Sequence, residues 1–321
     1  MNNKTGQLVS IVFTSYNHLE FLKQAIESLL NQSYTNFELI VVDDCSTDGS
    51  QELLKTYIKD KRVNLNLLYR NTGSYVKASN YGASLAKGEY ILFAQCDDFS
   101  ETDQLEILVN QLNNNKYIGV AYSRSNLIDK HGDFISDDYV IREFSFRKEC
   151  IKSVIIGKKS MRKYLSYSCV IPNLSAALIR RDLYFRIGGL SDKYFIAADW
   201  DFWLRLTGET DFIYIAKSLN NFRQHDTTIR STYKVSTQIN EIHEIIYTSI
   251  NRDNIKGIDK IKMKVGAGSI WFAYLIFGFQ PSFKVFFSVY AKTFRYEKLN
   301  VLFLILGMFK YIQEFLLKKL R

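Results

Sequence analysis

The chain has 321 residues, of which 47% are hydrophobic and 23% charged, a balance that excludes a disordered polypeptide and is ample for a buried core. Its formal net charge of +9 is unevenly placed: residues 254–321 hold 12 Lys and Arg against 3 Asp and Glu, so the first 253 residues are neutral and the tail carries the excess. The four cysteines, Cys45, Cys96, Cys150 and Cys169, lie far apart with no CxxC spacing, which argues against a zinc site or a disulfide framework and for a reducing compartment.

The polar start MNNKTGQ runs into LVSIVFT (8–14), read as a buried strand and too short for the core of a signal peptide. Asn17 is placed to cap a helix over 18–31, in which Leu19, Leu22, Ala25, Ile26, Leu29 and Leu30 share one face. FELIVVDD (37–44) reads as a second strand, CSTDGS as a turn and residues 50–57 as a helix. LNLLYR (65–70), a helix over 77–86 and EYILFAQ (89–95) continue the alternation, which predicts an α/β fold with a mostly parallel sheet and helices on both faces. Residues 125–170 show no clear period and are expected to form an irregular excursion over the sheet. NLSAALIRRDLYFRIGGL (173–190) then predicts a strand and a short helix ending at Gly188 and Gly189, followed by a helix through DWDFWLRL (199–206) and a strand at FIYIA (212–216). From residue 236 the pattern is helical, and from Trp271 it turns strongly aromatic and apolar.

Two apolar runs end on paired acids, Asp43 with Asp44 and Asp97 with Asp98, at the strand ends where ligands of parallel sheets bind. Adjacent carboxylates repel and are costly to remove from water, so the second pair either faces solvent or holds a cation. Its recurrence one strand-helix-strand stage after the first favours a hard divalent ion, with substrate phosphates completing the coordination. Asp43 and Asp44, before a turn and a helix, suit a cap as well as a polar ligand. Asp137 and Asp138 follow no apolar strand and read as surface. Asp199 and Asp201 flank Trp200 at a helix start, where each is a candidate cap or general base. In FRQHDTTIRS (222–231), His225 stands between Arg223 and Arg230, a setting suited to phosphate or metal contact. GAGSIW (266–271) fails as a dinucleotide loop because no strand precedes it, HEIIY (243–247) lacks the second His of a zinc protease, and there is no P-loop. The tail lacks the profile of a nucleic-acid groove, and no nucleic-acid partner is expected.

In order and spacing, VSIVFTSYN, ELIVVDDCSTDGS, NTGSYVKASNYGASLAKGEYILFAQCDD, NLSAALIRRDLYFRIGGL and ADWDFWLRL resemble the family 2 glycosyltransferases of the GT-A fold, over residues 7–231. The resemblance implies inverting transfer of one sugar from a nucleotide-diphosphate sugar, a UDP-sugar foremost, to a hydroxyl of a glycan or lipid-linked acceptor in bacterial surface-polysaccharide synthesis. It also implies a divalent metal, Mn2+ or Mg2+. Carried over by position, it puts Asp44 at the donor's base, Thr14 and Tyr16 in the nucleotide pocket, Asp97 at the donor ribose or sugar, Asp98 and His225 at the metal, and Asp199 as catalytic base. The family commonly has a further acid just ahead of the Asp97 pair, where Gln95 and Cys96 stand, and a Glu before the base, where Ala198 stands. Its processive members carry a Gln-x-x-Arg-Trp motif that this chain lacks, which favours single-sugar transfer. The rival readings are a non-catalytic nucleotide-sugar or glycan-binding module and a nucleotidyltransferase, although FTSYNHLE offers no triphosphate loop.

These readings divide the chain into a catalytic domain, 1–231, and a basic helical region, 232–321. Within the latter, apolar stretches at 271–279, 283–294 and 299–321 are broken by Lys284, Lys292, Arg295 and Lys310. Within these three stretches the longest uncharged run, Leu299 to Phe309, falls short of the roughly 20 residues that span a bilayer. Amphipathic helices lying in a membrane interface are expected, with the protein cytoplasmic and peripheral at the inner face of the cell membrane. The alternative for the tail is packing against the catalytic core or a partner chain.

Overall fold

The computed structural model describes residues 6–137, 152–226, 234–277 and 283–319; Asp138, Cys150, Arg230, the side chain of Lys284 and the expected domain boundary at 231 lie outside the described residues. The first half alternates as β1 (Val9–Ser15), α1 (Leu19–Leu30), β2 (Phe37–Asp43), α2 (Ser50–Lys55), β3 (Val63–Leu67), α3 (Tyr75–Ser84) and β4 (Tyr90–Gln95). Strands β3, β2, β1 and β4 lie side by side and parallel. Because side chains alternate along a strand, β1 sends Val9, Ile11 and Phe13 to a core under α1 and Val12 to a core under α3. The register sets Ser15 opposite Asp43 and Thr14 opposite Gln95, so the polar ends of three strands meet at one edge.

The sheet continues through β9 (Ala177–Arg180), antiparallel to both β4 and β6 (Val120–Ile128), and then through β10 (Phe212–Arg223), parallel to β6. Short strands β5 (Phe99–Ser100), β7 (Phe134–Asp137) and β8 (Val154–Ile156) pair at its margin. Helices α4 (Gln104–Asn114), α5 (Lys158–Leu165), α6 (Arg181–Arg186) and α7 (Ala198–Leu206) flank it.

Three expectations need correction. Asn17 does not cap α1: its side chain accepts the Thr47 N–H, and the first helical N–H, of Leu19, goes to the Asp48 carboxylate at 2.9 Å. The stretch from 125 is not irregular throughout, since β6 runs to Ile128 and β7, β8 and α5 follow. Ser123 and Ser125 in β6 are fully buried, and these polar residues hide the strand's period. Strand β10 extends well beyond residue 216, because its polar half, Ser218 to Arg223, stays paired with Arg124 to Ile128 of β6 across two register shifts.

Four helices complete the chain: α8 (Val235–Arg252), α9 (Gly257–Phe277), α10 (Phe283–Thr293) and α11 (Asn300–Lys319). Ile242, Ile245 and Ile246 of α8 and Met263 and Ala267 of α9 join the core that holds Trp203 of α7. Ile239, Trp271, Val289 and Leu304 form a second small core among the four helices. The glycines of GAGSIW serve packing: a Cβ on Gly266 would meet the Ser166 carbonyl at 2.3 Å, and one on Gly268 the Phe303 carbonyl of α11 at 2.0 Å. Among the described residues no helix is long and apolar enough to cross a membrane. Leu302, Ile305, Leu306, Phe309, Ile312 and Leu316 of α11 are nonetheless exposed along one face.

Candidate active site

Each acid pair divides its work. Asp43 closes the turn after β2, accepting Ser46 N–H, Ser46 Oγ and Gln51 Nε2, whereas Asp44 faces a cavity of about 410 Å³. Thr72 donates its N–H and its Oγ to the two oxygens of Asp44, at 2.8 Å each, and so fixes the carboxylate in the wall. Thr14, Tyr16 and Asp97 line the same cavity, with Tyr16 at 44% exposure near its mouth. Thr14 Oγ donates to Gln95 Oε1 at 3.2 Å, which holds that side chain against β1.

Tyr75, Gln95 and Asp97 are shared with a smaller cavity of about 150 Å³ that Asp98, Asn173 and Asp199 also line. The sequence-predicted residues Thr14, Tyr16, Asp44, Asp97, Asp98 and Asp199 are therefore brought to two cavities that meet at Asp97. Of the acids flanking Trp200, Asp199 faces the smaller cavity, while Asp201 is bound to Arg205 at 2.7 Å within the same helix. The Trp200 indole donates to the Leu165 carbonyl, tying the start of α7 to α5.

Asp98 is 4% exposed; its two oxygens accept the Arg223 N–H and Asn173 Nδ2, both at 3.1 Å. Burial, and then the charge of adjacent Asp97, pushes its carboxyl well above the usual carboxylate range. The Arg223 guanidinium is not available to a phosphate. It is buried, donates to the carbonyls of Asp97, Asp129 and Lys130 and to Gln24, and lies 4.7 Å from the Phe21 ring centre. Arg223 is the post that holds the acid loop.

The polar half of β10 delivers His225, whose Nε2 lies 3.2 Å from Asp97 Oδ2. His18, just before α1, stacks edge-on to it with ring centres 5.4 Å apart. Among the described residues, His18, Asp97 and His225 form the group whose ligand atoms lie within 4.8 Å of one another. The His18 ring meets the Tyr16 carbonyl at 2.7 Å through Nδ1, and since a carbonyl only accepts, Nδ1 carries the proton. In the neutral ring Nε2 then holds the lone pair, and that atom is buried with no hydrogen-bond partner. An orphaned imidazole nitrogen beside a carboxylate and a second imidazole fits a metal ion. Asp98 adjoins this group from behind without being one of its three members. Sequence reasoning missed His18; its place directly after the strand-end SYN was the available signal.

A model of glycosyl transferase family 2 matches residues 10–185, more than half of the chain. The chain belongs to glycosyl transferase family 2. It is 27% identical over 264 residues to the glycosyltransferase GlyG of Streptococcus pneumoniae, covering 81% of this chain and 85% of that one. It is 26% identical over 251 residues to the chondroitin synthase of Pasteurella multocida, covering 77% of this chain but 24% of that much longer protein. Among solved structures, S. aureus TarS 1–349 in complex with UDP-GlcNAc superposes with a TM-score of 0.70 at 17% identity, covering 96% of this chain and 89% of that one. The architecture is thus the GT-A fold of TarS, a curled mixed sheet with flanking helices, and the protein is a glycosyltransferase.

Proposed function

We propose that this glycosyltransferase moves a single sugar, with inversion, from a nucleoside-diphosphate donor to a hydroxyl of a glycan or lipid-linked acceptor in surface-polysaccharide synthesis. The observation that carries the reading is that Asp199 and Asp97 line one small cavity, while Asp97 and Asp44 line the larger one beside it. The larger cavity takes the nucleoside, with Asp44 at the base and Thr14 and Tyr16 along the wall. A UDP-sugar is the expected donor, in keeping with the TarS complex. The polysaccharide context is drawn from relatives such as the chondroitin synthase.

Inversion needs a base on the acceptor side, and Asp199, in the wall of the smaller cavity, would take the hydroxyl proton as the oxygen attacks. The departing diphosphate develops negative charge on the opposite side, at Asp97, His18 and His225. These three residues would hold a divalent ion, which when bound supplies Lewis-acid stabilisation of that charge. Two imidazoles and one carboxylate suit Mn2+ better than Mg2+, which prefers an all-oxygen shell. Asp98 and Arg223 support this loop by fixing it to β10. The exposed apolar face of α11 in a basic tail is read as a membrane-interface face, which brings the enzyme to a lipid-linked acceptor.

The test is release of nucleoside diphosphate from a panel of nucleotide sugars with Mn2+ present. Turnover with one donor that disappears in Asp199→Asn supports the reading. Binding of a nucleotide sugar without turnover under any metal would favour a binding module.

A further inference from the structure

A third cavity, of about 450 Å³, lies between α5 and the start of α9. Lys159, Lys163, Lys256 and Lys262 line it together with Arg162. Arg162 is committed to Asp253 at 3.3 Å and to Thr207, the residue after α7. The four lysines are exposed and have no carboxylate partner among the described residues, and Asp259 is the one acid of the lining. Like charges gathered around one concavity repel each other, so the arrangement is most stable when an anion occupies it.

A second observation says which anion. Lys310 of α11 sits 4.2 Å from the ring centre of Tyr167, itself in the cavity wall. One helical turn from Lys310 is Leu306, at the border of the exposed apolar face of α11. At the other edge, Ile258 of α9 is 61% exposed beside Lys256 and Lys262. Cations ringing a polar hollow, bounded by exposed aliphatic side chains, match a membrane interface, where phosphates lie just above acyl chains. A soluble polyanion would gain nothing from the apolar border.

We propose that this cavity is a docking site for the phosphate headgroup of an anionic phospholipid, seating the enzyme on the membrane. The assignment rests on the reading of the tail as membrane-facing, and the test separates the two.

Sedimentation with phosphatidylglycerol-containing vesicles and with pure phosphatidylcholine vesicles, at low salt, compares four full-length proteins. These are wild type, a groove triple (Lys163→Gln, Lys256→Gln, Lys262→Gln), a charge-matched control triple on exposed lysines elsewhere (Lys59→Gln, Lys61→Gln, Lys116→Gln) and an apolar-face triple (Leu302→Ser, Ile305→Ser, Phe309→Ser). Wild type is expected to prefer the anionic vesicles, the groove triple to bind them about 100-fold more weakly, and the control triple to stay within about threefold of wild type. Equal weakening of the groove and control triples would overturn the site in favour of net charge alone. Unchanged binding by the groove triple with loss in the apolar-face triple would overturn it while leaving the membrane reading intact. Wild type indifferent to phosphatidylglycerol would also overturn it.

Discussion

Glu241, on the helix that follows the catalytic sheet, accepts the backbone N–H of Ala197, two residues before Asp199, at 3.0 Å. The same carboxylate takes the N–H groups of Ile196 at 2.9 Å and Phe195 at 3.1 Å. Three consecutive donors on one charged acceptor fix the loop that presents Asp199, the proposed base, so part of the C-terminal region holds that residue's approach. Glu241→Gln leaves one oxygen to accept where two did, and is expected to cost about 1–3 kcal/mol of stability. Turnover should fall more than donor affinity, because the loop serves the base. Thermal melts with a kcat and KM comparison check this; a lowered melting temperature with normal kcat would confine Glu241 to stability.

Asp199→Asn should bind nucleotide donor like wild type and lose about 10²- to 10⁴-fold in turnover, since an amide cannot take the acceptor proton. Calorimetry with the nucleotide and steady-state rates at saturating donor give the two readouts. Weak donor binding with normal saturated turnover would move the base elsewhere.

Mn2+ affinity in the absence of substrate should fall at least about tenfold in each of His18→Ala, Asp97→Asn and His225→Ala, measured by calorimetry or by the Mn2+ resonance signal. His18→Ala is the informative variant, because Nδ1 is already held by the Tyr16 carbonyl and Nε2 has no other partner. Retained Mn2+ affinity in His18→Ala would reduce the site to Asp97 and His225.

His243, buried within α8 and edge-on to Trp271, has its pKa lowered by burial to about 4. Its ordinary value is near 6.5, so between these limits the unfolded chain binds the proton and the folded chain does not. Stability is therefore complete above about pH 6.5 and is lost as pH falls toward 4, by up to roughly 3 kcal/mol. His243→Leu should flatten the melting temperature between pH 6.5 and 4.5, approximately the window concerned. An equal acid slope in both proteins would assign the effect to other groups.

The apolar skeleton was legible because the strands and helices of the first half carry uninterrupted periods: Val9, Ile11 and Phe13 alternate with Val12 as a two-faced sheet requires. The strand-end acids were legible for the same reason, since an abrupt change from apolar to charged marks a strand's exit. What stayed hidden was polar and buried. Ser123 and Ser125 break the pattern of β6, and Ser218 to Arg223 continue β10 through pairing that only a neighbouring strand reveals. The division of labour within each acid pair came only from the family resemblance and not from the residues' own pattern. Whether Asp43 or Asp44, or Asp199 or Asp201, faces a cavity depends on Gln51, Thr72 and Arg205, whose side chains reach them in the fold.

Where α9 crosses α11, Gly268 and Gly307 place backbone against backbone: a Cβ on Gly307 would meet the Gly268 carbonyl carbon at 2.3 Å, and one on Gly268 the Phe303 oxygen at 2.0 Å. Two glycines facing each other act as a key and slot, because rotating α11 about its own axis would drive a larger side chain into the crossing. The azimuth of α11 is therefore locked, and the ridge from Leu302 to Leu316 is aimed outward by one missing side chain on its opposite flank and another on the face of α9 that meets it.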